Sequence, residues 1–461
     1  MEILDHCLLL AIYPAGENHH QKMHRQRHTH LYLLLPTPPP VISPSVRVFG
    51  HHAHSAQREN IAPKSLEIGI SSAILRLRMA FIPRIFTPGR DHFFLLGPRG
   101  TGKTLWSTHH YPKALRIDLL DPETLRLLSA RPERLTELVE GNRDKPQVII
   151  DEVQKLPALL EVVHLLIERK TGQQFILTGS SARKLRRQGV NLLGGRAAQK
   201  NMHPYLAAEL GKRFSLTSAL RQGMLPLVWA ADNPADILKA YNGLYLREEV
   251  QMEGLVRNVG SFARFLEAMS FSHASVLNLS NVSRDCQVSR KTVEGYLEIL
   301  EDLLLGFRLP VFTKRAKREL ATHPKFYYFD AGVFRANRPS GPLDAPQEID
   351  GLALEGLVAQ HLRAWCDYST GNHQLHYWQT RSQVEVDFVV YGDSGLYAVE
   401  VKNSTQVRSD DLRALKNFAD DYPQSQRYLI YRGKERFKRD DILCLPTEEF
   451  LLGLRPGEFQ P

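Results

Sequence analysis

Phe93-Phe94-Leu95-Leu96-Gly97-Pro98-Arg99-Gly100-Thr101-Gly102-Lys103-Thr104 decides the reading of this chain. Four apolar residues suit a strand buried on both faces. Behind them stands G-x-x-x-x-G-K-[ST], then a run that can be helical, which is the context a P-loop needs. The glycines let the backbone curl so that successive N–H groups converge on one anion. A helix starting near Gly102 adds its positive dipole end. Lys103 would reach the β- and γ-phosphates of ATP, and the Thr104 hydroxyl would ligate Mg²⁺. A flexible Gly-rich turn is the plain alternative, and the preceding strand counts against it.

The residues on either side fit this start. Further strand candidates are Leu115–Leu119, Val148–Ile150 and Phe175–Thr178, with helical stretches between them, as a parallel sheet with crossovers requires. Val148-Ile149-Ile150-Asp151-Glu152 lies 47 residues beyond Thr104 and reads as a Walker B strand. Its acids fall at the carboxyl edge of the sheet, where ligands of open parallel sheets bind. Asp151 would hold Mg²⁺ and Glu152 would polarise the attacking water. Thr178-Gly179-Ser180-Ser181 ends the next strand. Ser180 there can contact the γ-phosphate or serve as an ordinary helix cap. Leu193-Gly194-Gly195-Arg196 offers a cation for developing phosphate charge, in cis or from a neighbouring subunit of a homo-oligomer, or a plain solvated arginine.

This ordered set resembles a prokaryotic family of AAA-like ATPases. The resemblance rests on the P-loop, Arg116-Ile117-Asp118-Leu119, Ile149 to Pro157, Leu177 to Ser181, Gly195-Arg196 and Pro204, and it extends over nearly all of residues 79–461. It implies an α/β P-loop ATPase core, then a C-terminal restriction-endonuclease-like domain whose role in that family is undefined.

Composition sets wide limits. With 461 residues the chain has room for roughly two to four domains. A net charge of +9 permits nucleic-acid contact without showing it, because the charge is spread along the chain. Cys7, Cys286, Cys366 and Cys444 lie far apart, with neither zinc-ligand spacing nor a disulfide framework, so a reducing cytoplasm is expected. No run of 18 apolar residues exists, so no membrane span is expected.

Residues 1–78 differ from the rest. Nine of the 19 histidines precede residue 55, and prolines punctuate the middle. A His-rich metal-binding tail, a disordered extension and a start of translation at Met79 are the open readings. The last leads to the expectation that residues 1–78 are absent from the native protein.

Residues 79–215 are thus expected to be the ATPase domain and 216–335 a helical connector with a winged helix. Asn281 to Leu300 reads as helix, turn and second helix, capped by Ser289, with Val293, Tyr296, Leu297 and Leu300 as its buried stripe. Arg290, Lys291 and the segment Lys314, Arg315, Lys317, Arg318 could read DNA. Glu294, Glu298, Glu301 and Asp302 on the same helix would repel phosphate, which suits a packing module instead.

Residues 340–461 carry a second constellation. Glu355 lies in a helical stretch; Val384-Glu385-Val386-Asp387-Phe388 and Tyr397-Ala398-Val399-Glu400-Val401-Lys402 alternate as strands. This resembles the PD-(D/E)XK nuclease core, with thirteen positions from Asp387 to Glu400. Asp387 and Glu400 would hold Mg²⁺ against a scissile phosphate and Lys402 would activate water or stabilise the pentavalent charge, with Gln379 and Arg381 near the pocket. A charged, solvated hairpin is the plain alternative; it explains the alternation but not the order of acids after a helical Glu. Cleavage stays open, because fold does not imply function. DNA or a protein is the expected partner.

Overall fold

The computed structural model describes residues 81–181, 193–245, 258–314, 320–342 and 344–459. The expectations for residues 1–78, and for Arg315, Lys317 and Arg318, lie outside the described residues.

The first sheet is built from β1 (His92–Leu96), β2 (Leu115–Asp118), β3 (Gln147–Asp151), β4 (Gln174–Gly179) and β5 (Ala197–Asn201), in the order β2-β3-β4-β1-β5. All neighbours are parallel. The first four strands are those read from the sequence. β5 was not foreseen, because Ala-Ala-Gln-Lys-Asn lacks the apolar run of a buried strand; it is an edge strand, paired with β1 alone. The crossovers carry α1 (Lys103–His110), α2 (Pro122–Ala130), α3 (Arg134–Gly141) and α4 (Leu159–Glu168). Alternating strand residues feed two separate cores. Phe94, Leu96, Val148 and Ile150 enter one, and Phe93, Leu95, Ile149 and Ile176 the other, so both faces of the sheet are covered.

Past the sheet come α5 (Leu216–Gln222), α6 (Pro234–Ala240), α7 (Val259–Phe271), α8 (Leu279–Cys286) and α9 (Arg290–Asp302). The Ser289 hydroxyl accepts the Thr292 N–H at 3.1 Å and caps α9, as read from the sequence. Val293, Tyr296, Leu297 and Leu300 are buried as its stripe. Three short strands, β6 (Ser275–Val276), β7 (Gly306–Leu309) and β8 (Lys325–Tyr328), pair antiparallel in the order β6-β8-β7.

After α10 (Ala331–Asn337) the long helix α11 (Pro346–Tyr368) lies against a mixed sheet. Its strands are β9 (Gln374–Gln379), β10 (Glu385–Gly392), β11 (Gly395–Lys402), β12 (Gln426–Tyr431), β13 (Phe437–Arg439) and β14 (Ile442–Pro446), ordered β13-β14-β12-β11-β10-β9. β9, β10 and β11 are antiparallel neighbours, whereas β11, β12 and β14 run parallel. Helix α12 (Arg413–Asp421) makes the crossover, and α13 (Thr447–Gly453) closes the domain. One hydrophobic core runs from Tyr205 through Leu300, Phe334 and Leu357 to Phe459. The middle helices, α11 and the C-terminal sheet therefore share buried surface.

Candidate functional site

Strand order explains the first site. Because β4 lies between β3 and β1, its end sits between the P-loop and Asp151; Leu96 is opposite Gly179 and Ile150 opposite Leu177. Lys103, Thr104, Asp151, Glu152 and Ser180 thus gather at one carboxyl edge. Gly100 and Gly102 have φ of 81° and 86°, a left-handed backbone that favours glycine. A Cβ on Gly97 would lie 2.5 Å from the Met202 carbonyl, so the loop also depends on close backbone approach there.

The Thr104 hydroxyl donates to Asp151 Oδ2 at 2.7 Å, and Thr178 donates to Asp151 Oδ1. The Lys103 ammonium donates to the Gly97 carbonyl at 2.6 Å and the Pro98 carbonyl at 3.3 Å. A hydroxyl keeps lone pairs while it donates, so Thr104 and Asp151 can turn both oxygens to one cation. They fit Mg²⁺, which takes one or two protein oxygens beside phosphate oxygens and waters.

Glu152 sits at φ 57°, an uncommon backbone for a non-glycine residue. The Gln154 amide donates to Glu152 Oε2 at 2.5 Å and to Ser180 Oγ at 3.1 Å. Gln154 thus bridges Glu152 and Ser180; the sequence pattern assigns it no role, although it stands inside the Asp151–Pro157 stretch. Arg84 was also missed. Its guanidinium pairs with buried Glu209 at 3.0 Å and donates to the carbonyls of Thr101 at 2.9 Å and His203 at 2.7 Å, bracing the P-loop from outside. The loop meets the middle helices as well: Leu227 N–H donates to the Gly100 carbonyl at 3.2 Å, and Tyr241 O–H to the Arg99 carbonyl at 3.2 Å. Arg196 pairs with Glu168 of α4, and both are exposed.

The second set also converges. Glu355 comes from α11, Glu385 and Asp387 from one face of β10, and Glu400 and Lys402 from β11. The β10–β9 register shifts between Val386 and Val389, a bulge beside the cluster. Lys402 donates to Glu400 Oε1 at 2.6 Å. Gln379 donates to Glu385 Oε2 at 2.8 Å, which brings it into the cluster as expected. Burial pushes the Glu355 carboxyl up to about 7 and the Glu400 carboxyl up to about 8, against the pull of their lysine partners.

Two members were not foreseen. Glu385 was read only as part of an alternating strand. Lys325 comes from β8, thirty positions before Glu355, and its ammonium lies 3.1 Å from Glu355 Oε1. The available signal was a lysine heading the apolar run Lys325-Phe326-Tyr327-Tyr328-Phe329.

Helix α11 touches the ATPase side too. His361 Nε2 accepts the Ala207 N–H at 2.9 Å, Asp367 meets His203 at 2.6 Å, and the Tyr368 hydroxyl accepts the His203 N–H at 3.0 Å. Residues 201–209 are those that also hold Gly97 and Arg84.

Comparison with known proteins matches three successive stretches of the chain. Residues 90–211 match a family model described as an AAA domain. Residues 213–342 and 350–450 match two models described as domains of unknown function, DUF8612 and DUF4143. An uncharacterized protein of Mycobacterium tuberculosis is 24% identical over 420 residues, 88% of this chain and 90% of that protein. An uncharacterized protein of Haemophilus influenzae is 22% identical over 338 residues, covering 69% and 80% of the two chains. Among solved structures, AMPPCP-bound DnaA from Aquifex aeolicus aligns with 13% identity and a TM-score of 0.25, over 50% of this chain and 87% of that one. Protein VC1899 from Vibrio cholerae aligns with 12% identity and a TM-score of 0.20, over 75% and 96%. No described helix is long and apolar enough to cross a membrane. Residues 90–211 are thus similar to an AAA domain and place a P-loop at the carboxyl edge of a parallel five-stranded sheet, and an α/β region with a mixed sheet follows.

Proposed function

We propose that this protein binds Mg-ATP at the 92–180 edge and hydrolyses it, and that its nucleotide state governs how the C-terminal domain meets DNA. The observation that carries the first part is the Thr104–Asp151 contact at 2.7 Å beside Lys103 and Glu152. Mg²⁺, when bound, would neutralise charge on the phosphates. Lys103 moves from the loop carbonyls to the β- and γ-phosphates. Glu152, held by Gln154, orients and polarises water for in-line attack, and Ser180 reports the γ-phosphate through the same amide. Arg196 would serve the developing charge only after leaving Glu168, in cis or across a homo-oligomer.

The second part is supported by α11, which bears Glu355 in its middle and meets residues 203–207 with its later turns. The order α7-β6-α8-α9-β7-β8, with β8 between the other two strands, supports a winged helix in the middle region. The order α11-β9-β10-β11-α12-β12 with its four signature residues supports a nuclease-like C-terminal domain. Arg290 pairs with Glu294 at 3.1 Å and Arg308 with Glu301 at 2.7 Å, so both cations already have carboxylate partners. The free thiols of Cys286, Cys366 and Cys444 suit a reducing cytoplasm.

A second reading, a nucleotide-dependent scaffold for a protein partner with a catalytically silent C-terminal domain, is favoured by the position of Lys325. The test is ATP turnover together with affinity for labelled DNA, measured nucleotide-free, with ADP and with a non-hydrolysable ATP analogue, at two salt concentrations. DNA affinity that changes with nucleotide and falls with salt supports the first reading. Turnover without any DNA affinity supports the scaffold.

A further inference from the structure

The C-terminal cluster holds four carboxylates, and a nuclease core would use Asp387 and Glu400 to bind a divalent cation. Three of their four oxygens already accept a hydrogen bond, and the fourth faces an ammonium. Asp387 Oδ2 accepts the Val401 N–H at 2.8 Å, and Oδ1 lies 3.7 Å from the Lys325 ammonium. Glu400 Oε1 accepts from Lys402 at 2.6 Å, and Oε2 accepts the Asp387 N–H at 3.4 Å. Peptide N–H groups and ammonium groups have no lone pair to offer a metal, unlike the threonine hydroxyls around Asp151. Among the described residues no group of three or more His, Cys, Asp or Glu is arranged to hold a metal ion. These residues do not fit the cation that the nuclease resemblance implies.

Lys325 explains what fills its place. It is 2% exposed, and its ammonium reaches Glu355 Oε1 at 3.1 Å and pairs with Glu385. Tyr327, two positions on and therefore on the same face of β8, donates its hydroxyl to the same Glu355 oxygen at 2.6 Å. A buried ammonium is costly unless several acceptors surround it. Here three carboxylates from two elements do so. Phe326 and Tyr328 meanwhile turn to the other side, where Tyr328 O–H donates to the Leu266 carbonyl.

We propose that Lys325 is the resident cation of the C-terminal cluster, taking the place of a divalent metal, so that the carboxylates act as a socket that holds β8 to the C-terminal sheet. The inference rests on the same cluster as the nuclease-like reading, yet the two fail separately. DNA affinity tests that reading, and metal binding tests this one.

The experiment titrates the full, nucleotide-free chain with Mn²⁺ alone, followed by electron paramagnetic resonance, beside Asp387→Asn. The wild type is expected to show no Asp387-dependent site of millimolar or tighter affinity. A wild-type site that Asp387→Asn removes would overturn the proposal, whatever happens at position 325. Lys325→Met keeps the length of the side chain and removes its charge. Once the variant is shown to be folded by circular dichroism, it is expected to tighten Mn²⁺ binding by at least about tenfold. Adding Asp387→Asn is expected to abolish that gain. A folded Lys325→Met chain with no gain in Mn²⁺ affinity would equally overturn the proposal; should that variant not fold, the wild-type comparison decides.

Discussion

The two carboxylate-and-lysine sites of this chain differ in what surrounds their acids. At the P-loop edge, Asp151 is met by the hydroxyls of Thr104 and Thr178, groups that can release a proton contact and present a lone pair to a cation. At the C-terminal edge, Asp387 and Glu400 are met by ammonium and peptide N–H groups, which can only donate. Both sites present acids and a lysine in a family-like order. The difference lies in their neighbours, and it separates a place where Mg²⁺ fits from one where a lysine already stands.

Removing each lysine in turn should separate the two sites most strongly. Lys103→Ala is expected to lower kcat/KM for ATP by at least about a hundredfold, through lost phosphate contact, without unfolding the chain. ATP turnover alongside a thermal melt checks it. Lys325→Ala is expected to act on stability instead, by about 3–5 kcal/mol, because it leaves Glu355, Glu385 and Asp387 without their buried counter-ion. Chemical denaturation measures that loss, and an unchanged midpoint would remove Lys325 from the socket. Glu152→Gln sharpens the P-loop side. Binding of a fluorescent ATP analogue should persist while turnover falls about a hundredfold or more, and retained turnover would take Glu152 out of its role. Gln154→Leu should have a smaller effect, about tenfold on kcat with KM little changed, since it acts by orienting Glu152. Equal loss in KM would point to plain misfolding of the edge.

The mildest test concerns the link between the two halves. Burial, with a smaller contribution from His203, holds His361 down to about 4, and burial holds His273 down to about 3. Because Ala207 N–H donates to His361 Nε2, that nitrogen is bare and Nδ1 carries the proton toward the Leu357 carbonyl. The folded state therefore binds fewer protons than the unfolded chain, whose histidines titrate near 6.5. The stability these histidines contribute is fully present above about pH 6.5 and is lost as pH falls toward 4. Denaturation midpoints that fall over this range check it, and His361→Gln should flatten part of the slope.

The parallel sheet was legible because its strands are short apolar runs ending in acids or glycines, and the P-loop pattern fixes where each end must go. β5 was not, because an edge strand against a single neighbour needs no apolar run. That Glu355, Asp387, Glu400 and Lys402 would come together was legible from order and alternation within a single stretch, 355 to 402. Lys325 was not, since no local period relates β8 to α11 or β10; only the folded chain brings them together. Gln154 and Arg84 were hidden for another reason. Each acts through a hydrogen bond to a group already assigned a role, and such bonds leave no spacing rule in the sequence.

The most direct measurement of the difference between the sites is the number of Mn²⁺ ions bound with a non-hydrolysable ATP analogue, counted by electron paramagnetic resonance. One ion per chain is expected, appearing only with nucleotide, lost in Asp151→Asn and unaffected by Asp387→Asn. A second ion that Asp387→Asn removes, or an ion that survives Asp151→Asn, would contradict it.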